Sequence, residues 1–220
     1  MEMGRIKTSD DLLQIKEDYI NSQKRWKHEV LVCGGAGCIS SHCQEVQDAL
    51  KEALKANNLE DTVHVIVTGC MGTCAAGPVL LVEPDGIFYT SMTPETTADM
   101  VARHLVNGEI CEEYTFYDTY KEIRIPKLDD IDFFKRQVRI ALRNCGRMEF
   151  ASMEAYIARD GYQSISKALL TMSQADVVDQ IKVSGLRGRG GAAQLAGRDT
   201  VYSPPPSEAA PAASIRESSA

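Results

Sequence analysis

The chain has 220 residues, 44% of them hydrophobic and 25% charged, with a formal net charge of −7, enough for one or two domains with a packed core. The acidic balance argues against nucleic acid or an anionic membrane as the main partner, and no apolar run approaches membrane-spanning length. The first 16 residues lack the hydrophobic core of a signal peptide, so a cytosolic chain is expected, in which the seven cysteines read as metal ligands or redox groups rather than a disulfide framework.

In chain order, Leu12, Ile15, Tyr19 and Trp26 are spaced for one face of a helix over 9–26, with Ser9 as its N-cap before Asp10 and Asp11. A strand over 29–32 runs into Cys33-Gly34-Gly35-Ala36-Gly37-Cys38, a glycine loop. A helix over about 41–56 follows, burying Val46, Ala49, Leu50, Ala53 and Leu54. A second strand, 63–67, runs into Cys70-Met71-Gly72-Thr73-Cys74. Runs at 77–82 and 87–89 flank the turn Pro84-Asp85-Gly86, and a helix opened by Thr93-Pro94-Glu95 ends at Asn107-Gly108. The order βαβ then ββα is a thioredoxin-like arrangement, an α/β domain over residues 1–110. Residues 111–132 read as a charged linker. Residues 133–192 read as helical, with helices over 133–143, 152–159, 162–172 and 173–183 ahead of a glycine-rich loop at 184–191. From 193 to 220, Pro204-Pro205-Pro206 and many Ala and Ser without periodicity predict a disordered tail.

The cysteines carry the chemistry. Cys33 and Cys38 form C-x4-C, Cys70 and Cys74 form C-x3-C, and each pair follows a strand, so two loops at neighbouring strand ends could gather four sulfurs. Thiolates suit iron–sulfur clusters or zinc. Gly34, Gly35 and Gly37 remove bulk and permit backbone N–H groups to turn toward sulfur. Three readings compete. A redox dithiol is disfavoured because neither pair is C-x-x-C at a helix start. Structural zinc remains an alternative, although its pairs most often sit on tighter knuckles. A [2Fe–2S] cluster is favoured, since ligation by four cysteine thiolates is its ordinary form. Cys43 makes a second C-x4-C with Cys38; it is set aside because 40–43 should already be entering the helix, where residues five apart do not share a face. Cys111 and Cys145 read as buried or idle.

The motifs Cys33-Gly-Gly-Ala-Gly-Cys38 and Cys70-Met-Gly-Thr-Cys74-Ala-Ala-Gly-Pro resemble the thioredoxin-like [2Fe–2S] ferredoxin domain, shared with the small [2Fe–2S] subunit of respiratory complex I. Phe133-Phe134-Lys135-Arg136-Gln137, Ile140-Ala141-Leu142-Arg143-Asn144-Cys145-Gly146, Tyr156-Ile157-Ala158-Arg159-Asp160-Gly161-Tyr162 and Ser184-Gly-Leu-Arg-Gly-Arg-Gly-Gly191 resemble the start of the flavin- and NADH-binding subunit. The two are fused in this order in the diaphorase subunit of NAD(P)-linked, often electron-bifurcating, [FeFe]-hydrogenases. The resemblance implies an electron-transfer module with Cys33, Cys38, Cys70 and Cys74 on iron. It implies hydrogenase or complex-I-like subunits as partners, and FMN and NAD(P)H as cofactors of the full family subunit. Gly188, Arg189, Gly190 and Gly191 would then approach flavin or nucleotide phosphate through backbone amides. No catalytic residue is assigned. The family continues after this loop with Gly-Phe-Pro and a long flavin domain, whereas this chain runs into the Pro/Ala/Ser tail. The chain therefore reads as truncated, and tight flavin binding or NADH-dependent activity is not expected of it alone. A rival reading is a module that only docks to partner subunits.

Overall fold

The computed structural model describes residue 6 and residues 8–187. Two compact units divide the chain, Met1–Gly161 and Tyr162–Ala220. In the first, α1 (Ser9–Gln23) is capped one residue earlier than expected: the Thr8 side chain accepts from the Asp11 N–H, and Asp11 reaches back to the Thr8 N–H at 2.9 Å. A sheet follows in the order β2 (Val63–Thr68), β1 (His28–Cys33), β3 (Leu80–Glu83) and β4 (Ile87–Tyr89). β1 and β2 are parallel, while β3 is antiparallel to both β1 and β4.

Four consecutive residues of β1 are buried, so both sheet faces are covered. On one face Val30 and Val32 pack with Val46, Leu50 and Leu54 of α3 (Cys43–Ala56). Met100 from α4 (Pro94–Met100) joins them, with Val101 and Leu105 from its π-helical continuation Val101–Val106. On the other face Leu31, Ile66, Leu81 and Phe88 pack with Ile125, Leu128 and Ile131. That second cover comes from the stretch read as a charged linker. Phe116–Asp118 (β5) and Ile123–Ile125 (β6) pair as a small antiparallel sheet, and the backbone then docks through the Phe88 N–H to the Pro126 carbonyl at 2.8 Å. Its apolar residues are too sparse for a periodic signal, yet Ile125, Leu128 and Ile131 land on the sheet, while Tyr117, Tyr120 and Ile123 stay exposed.

The helix expected over 133–143 is cut to Asp132–Lys135 (α5), and the chain from there to α6 (Met153–Ala158) is irregular. Within it the Phe150 N–H donates to the Val67 carbonyl at 2.9 Å, along the outer edge of β2. Val138, Ile140 and Leu142, which a core-packed helix over 133–143 would turn inward, are exposed instead. α6 packs on α1. In the second unit, α7 (Gln163–Thr171) and α8 (Gln174–Val183) lie within a residue of the expected bounds, the latter opened by a Ser173–Asp176 capping box. Among the described residues no helix is long and apolar enough to cross a membrane. The 193–220 tail lies outside the described residues.

At the end of the sheet where β1 begins, a buried polar chain holds the β3–β4 turn. The Cys111 N–H donates to the Tyr89 hydroxyl at 3.4 Å, and that hydroxyl lies 3.0 Å from His104 Nδ1. His104 Nε2 stands 3.3 Å from the Asp85 carboxylate, and His28 Nδ1 stands 3.6 Å from it. With Tyr89 donating to Nδ1, His104 is satisfied as the neutral Nε2–H tautomer, and burial lowers its pKa against the pull of Asp85. The unfolded chain therefore binds a proton more readily than the folded one. His104 contributes stability that is present above its unfolded pKa of about 6.5 and lost as pH falls below it. The urea midpoint of the wild type is expected to drop more between pH 7.5 and pH 5.5 than that of His104→Gln; equal drops would show that His104 is not the titrating group.

Candidate metal centre

Both cysteine pairs leave the sheet at one end. β1 and β2 run in register from His28↔Val63 to Cys33↔Thr68, and the Gly34 N–H closes the junction on the Thr68 carbonyl at 2.8 Å. Cys33 is the last residue of β1, and its N–H donates to the Val79 carbonyl at 3.2 Å. The expected glycine loop is instead a short helix, α2 (Ala36–Ser40), which carries Cys38. Cys33 and Cys38 are both buried, whereas Cys70 and Cys74 are exposed, Cys74 opening a 3-10 turn over Cys74–Ala76. The sulfurs of Cys70 and Cys74 are 3.8 Å apart, and the Gly72 N–H points at Cys70 Sγ from 3.4 Å.

Glycine brings the pairs together. A Cβ on Gly35 would stand 3.2 Å from Cys70 Sγ, one on Gly37 would stand 3.3 Å from Cys74 Sγ, and one on Gly77 only 2.9 Å from Cys38 Sγ. The first cysteine segment thus lies directly against the second, and side chains at these positions would push the pairs apart. Gly77 stands within the second motif, ahead of Pro78, but nothing local to it points to a contact with Cys38.

Cys43 starts α3 rather than continuing the helix of Cys38. The chain breaks between them at His42, where φ is 64°. The argument from one continuous helix therefore does not hold, and Cys43 is buried in the same cluster as Cys33 and Cys38. Its sulfur accepts from Gln47 Nε2 at 3.8 Å. Cys111 is buried beside Tyr89 and Cys145 is half-buried. Gly188, Arg189, Gly190 and Gly191 lie outside the described residues.

Burial pushes the Cys38 thiol up to about 12, reinforced by its hydrogen bond and charge interaction with Cys33. The hydrogen bond with Cys70 is the main cause that raises Cys74. Sulfurs this close repel one another as thiolates, and a cation set between them removes that repulsion while expelling their protons. Among the described residues no group of three or more His, Cys, Asp or Glu is gathered to hold one metal ion. A lone zinc needs four donors about one centre. Two separate pairs across a glycine contact fit a binuclear cluster held by four cysteine thiolates better.

Residues 18–105 match the family described as thioredoxin-like [2Fe-2S] ferredoxin. The [2Fe-2S] ferredoxin of Clostridium pasteurianum is 32% identical over 92 residues, which span 38% of this chain and 90% of that protein. The chain belongs to the thioredoxin-like [2Fe–2S] ferredoxin family. This ferredoxin chain is also 57% identical over 58 residues to the NADP-reducing hydrogenase subunit HndC of Solidesulfovibrio fructosivorans, covering 26% of this chain and 12% of that subunit. Over 40 residues it is 58% identical to an NADH-quinone oxidoreductase subunit of Buchnera aphidicola subsp. Schizaphis graminum (strain Sg), covering 18% of this chain and 9% of that subunit. The ferredoxin-like domain is thus related to subunits of oxidoreductases, and the chain spans only a small part of those two.

Proposed function

We propose that this chain holds a [2Fe–2S] cluster on Cys33, Cys38, Cys70 and Cys74 and relays single electrons between a flavin and other iron–sulfur centres of an NAD(P)H-linked hydrogenase or complex-I-like assembly. The observation that carries the reading is the close approach of Gly35 to Cys70 Sγ and of Gly37 to Cys74 Sγ, which sets the two pairs against each other at one sheet end. A bound [2Fe–2S] cluster supplies reversible one-electron transfer at a potential set by hydrogen bonds and solvent exposure. Buried Cys33 and Cys38 would hold the group away from water, exposed Cys70 and Cys74 would hold it where a partner can approach, and the Gly72 N–H offers a donor to the Cys70 sulfur. Gly188, Arg189, Gly190 and Gly191 are kept, on the family resemblance alone, as proposed phosphate contacts for FMN or the nicotinamide nucleotide. The likeness to HndC and to the NADH-quinone oxidoreductase subunit supports the assembly.

Anaerobically purified protein is expected to be brown, with about two iron and two acid-labile sulfide atoms per chain. Stoichiometric zinc without sulfide would replace this reading with the structural-zinc one, and neither metal nor sulfide would favour a purely docking module.

A further inference from the structure

We infer that segment 133–147 is a docking surface for an acidic one-electron carrier protein, seated beside the exposed Cys70–Cys74 edge; the inference rests on the cluster reading above. Both ends of the segment are fixed to the second cysteine loop. The Phe133 ring lies 3.8 Å from where a Cβ on Gly72 would stand, and Gly146, at φ 75°, lies so close to Met71 that a Cβ there would fall 2.8 Å from Met71 Cγ. Whatever sits on this segment sits next to Cys70 and Cys74.

The charge of the segment is opposite to that of the chain. In a protein of net charge −7, residues 135–147 contain Lys135, Arg136, Arg139, Arg143 and Arg147 and no Asp or Glu. Arg147 is tied to Glu83 at 3.0 Å and Asp129 at 2.8 Å, and Arg136 reaches Asp132 at 3.4 Å. Arg139 donates to the Cys145 carbonyl and covers the Phe134 ring, and Arg143 donates to the Arg159 carbonyl. Among the described residues no ion pair joins these two arginines or Lys135 to a carboxylate; Lys135 and Arg143 are exposed, and Arg139 is half-buried.

Apolar residues stand among these cations, with Val138 at 90% and Ile140 at 80% exposure. Apolar contact flanked by exposed positive charge suits a transient encounter that must form fast and dissociate fast. The complement is a protein with carboxylates around its own redox centre. Nucleic acid would match the sign of the charge but has no use for an adjoining electron exit, and the chain as a whole repels it.

A bacterial flavodoxin, acidic and carrying FMN, is a suitable probe. One electron passes from its hydroquinone to the oxidised cluster and leaves the semiquinone, with no bond made or broken. Two variants carry the same change in charge: Lys135→Gln/Arg136→Gln/Arg143→Gln on the segment, and Lys24→Gln/Lys51→Gln/Lys55→Gln at exposed positions, the first just after α1 and the other two on α3. The segment variant is expected to slow reduction by flavodoxin about tenfold or more near 0.05 M salt and to flatten the salt dependence, while the control variant stays near wild type. Photoreduction by 5-deazariboflavin, small and uncharged, should be the same in all three. Equal flavodoxin rates, or equal losses in both variants, would overturn the inference. Binding of dye-labelled flavodoxin, followed by anisotropy, decides the surface without a cluster. A missing [2Fe–2S] spectrum would sink the cluster reading alone, and the segment variant must still bind about tenfold more weakly for the docking surface to stand.

Discussion

Serine in place of Cys70 or Cys74 is expected to leave the chain folded and to abolish or strongly alter its cluster. Both residues are exposed, so the oxygen that replaces sulfur is hydrated and the fold loses no buried contact. The visible absorption should disappear or shift, because a thiolate is removed from the iron. Cys33→Ser and Cys38→Ser should do the same and also destabilise the metal-free chain, because each puts a hydroxyl into a site only 2% exposed, at a cost of about 1–3 kcal/mol. The exposed pair therefore separates cluster loss from misfolding. Cys43→Ser is the discriminating control. Its sulfur is packed with Cys33 and Cys38, so retention of the spectrum in Cys43→Ser fixes the assignment of the pair. Bleaching by Cys43→Ser together with an intact spectrum in Cys33→Ser would reassign it.

Phe88→Ala is expected to be the most damaging change remote from the sulfurs. Phe88 is fully buried in β4, meets Phe134 edge-on with ring centroids 6.1 Å apart, and belongs to the layer under the cysteine end of the sheet. Removing the ring leaves a cavity that sheet and cover cannot both close, a loss of about 3–5 kcal/mol. That is a large part of a typical domain stability of about 5–15 kcal/mol. Trp26 is the chain's only tryptophan and stacks on His64 at 4.9 Å, so its fluorescence in urea reports the first unit. Tyr120→Ala, at a position 99% exposed in the same unit, should change stability by no more than about 0.5 kcal/mol. A Phe88→Ala midpoint as close to wild type as that would mean the cover contributes little to the fold.

Phe88 also marks where the sequence stopped being legible. The strands of the sheet announce themselves as β-branched runs ended by Gly, Pro or Cys, and α3, α7 and α8 as amphipathic periods with their caps. Those signals are local, and they were enough to place the loops that carry Cys33 and Cys70 at the ends of adjoining strands, because a parallel pair joined by a helix must open both loops on the same side. The cover made by Ile125, Leu128 and Ile131 is not local: three apolar residues in a charged stretch gain meaning only from the sheet face they meet.

The amino-acid order by itself determined the sheet, the pairing of the cysteines into two motifs and the glycines between them, since each follows from short-range backbone and side-chain preferences. Only the tertiary structure decided that α2 and α3 are separate helices broken at His42, that Gly77 closes on Cys38 Sγ, and that the basic segment is fastened at both ends to the Cys70–Cys74 loop. These depend on contacts between residues far apart in the chain, such as Gly77 with Cys38 and Gly146 with Met71. The free energy of such contacts comes from excluding water between surfaces that the chain brings together only when the whole unit has folded.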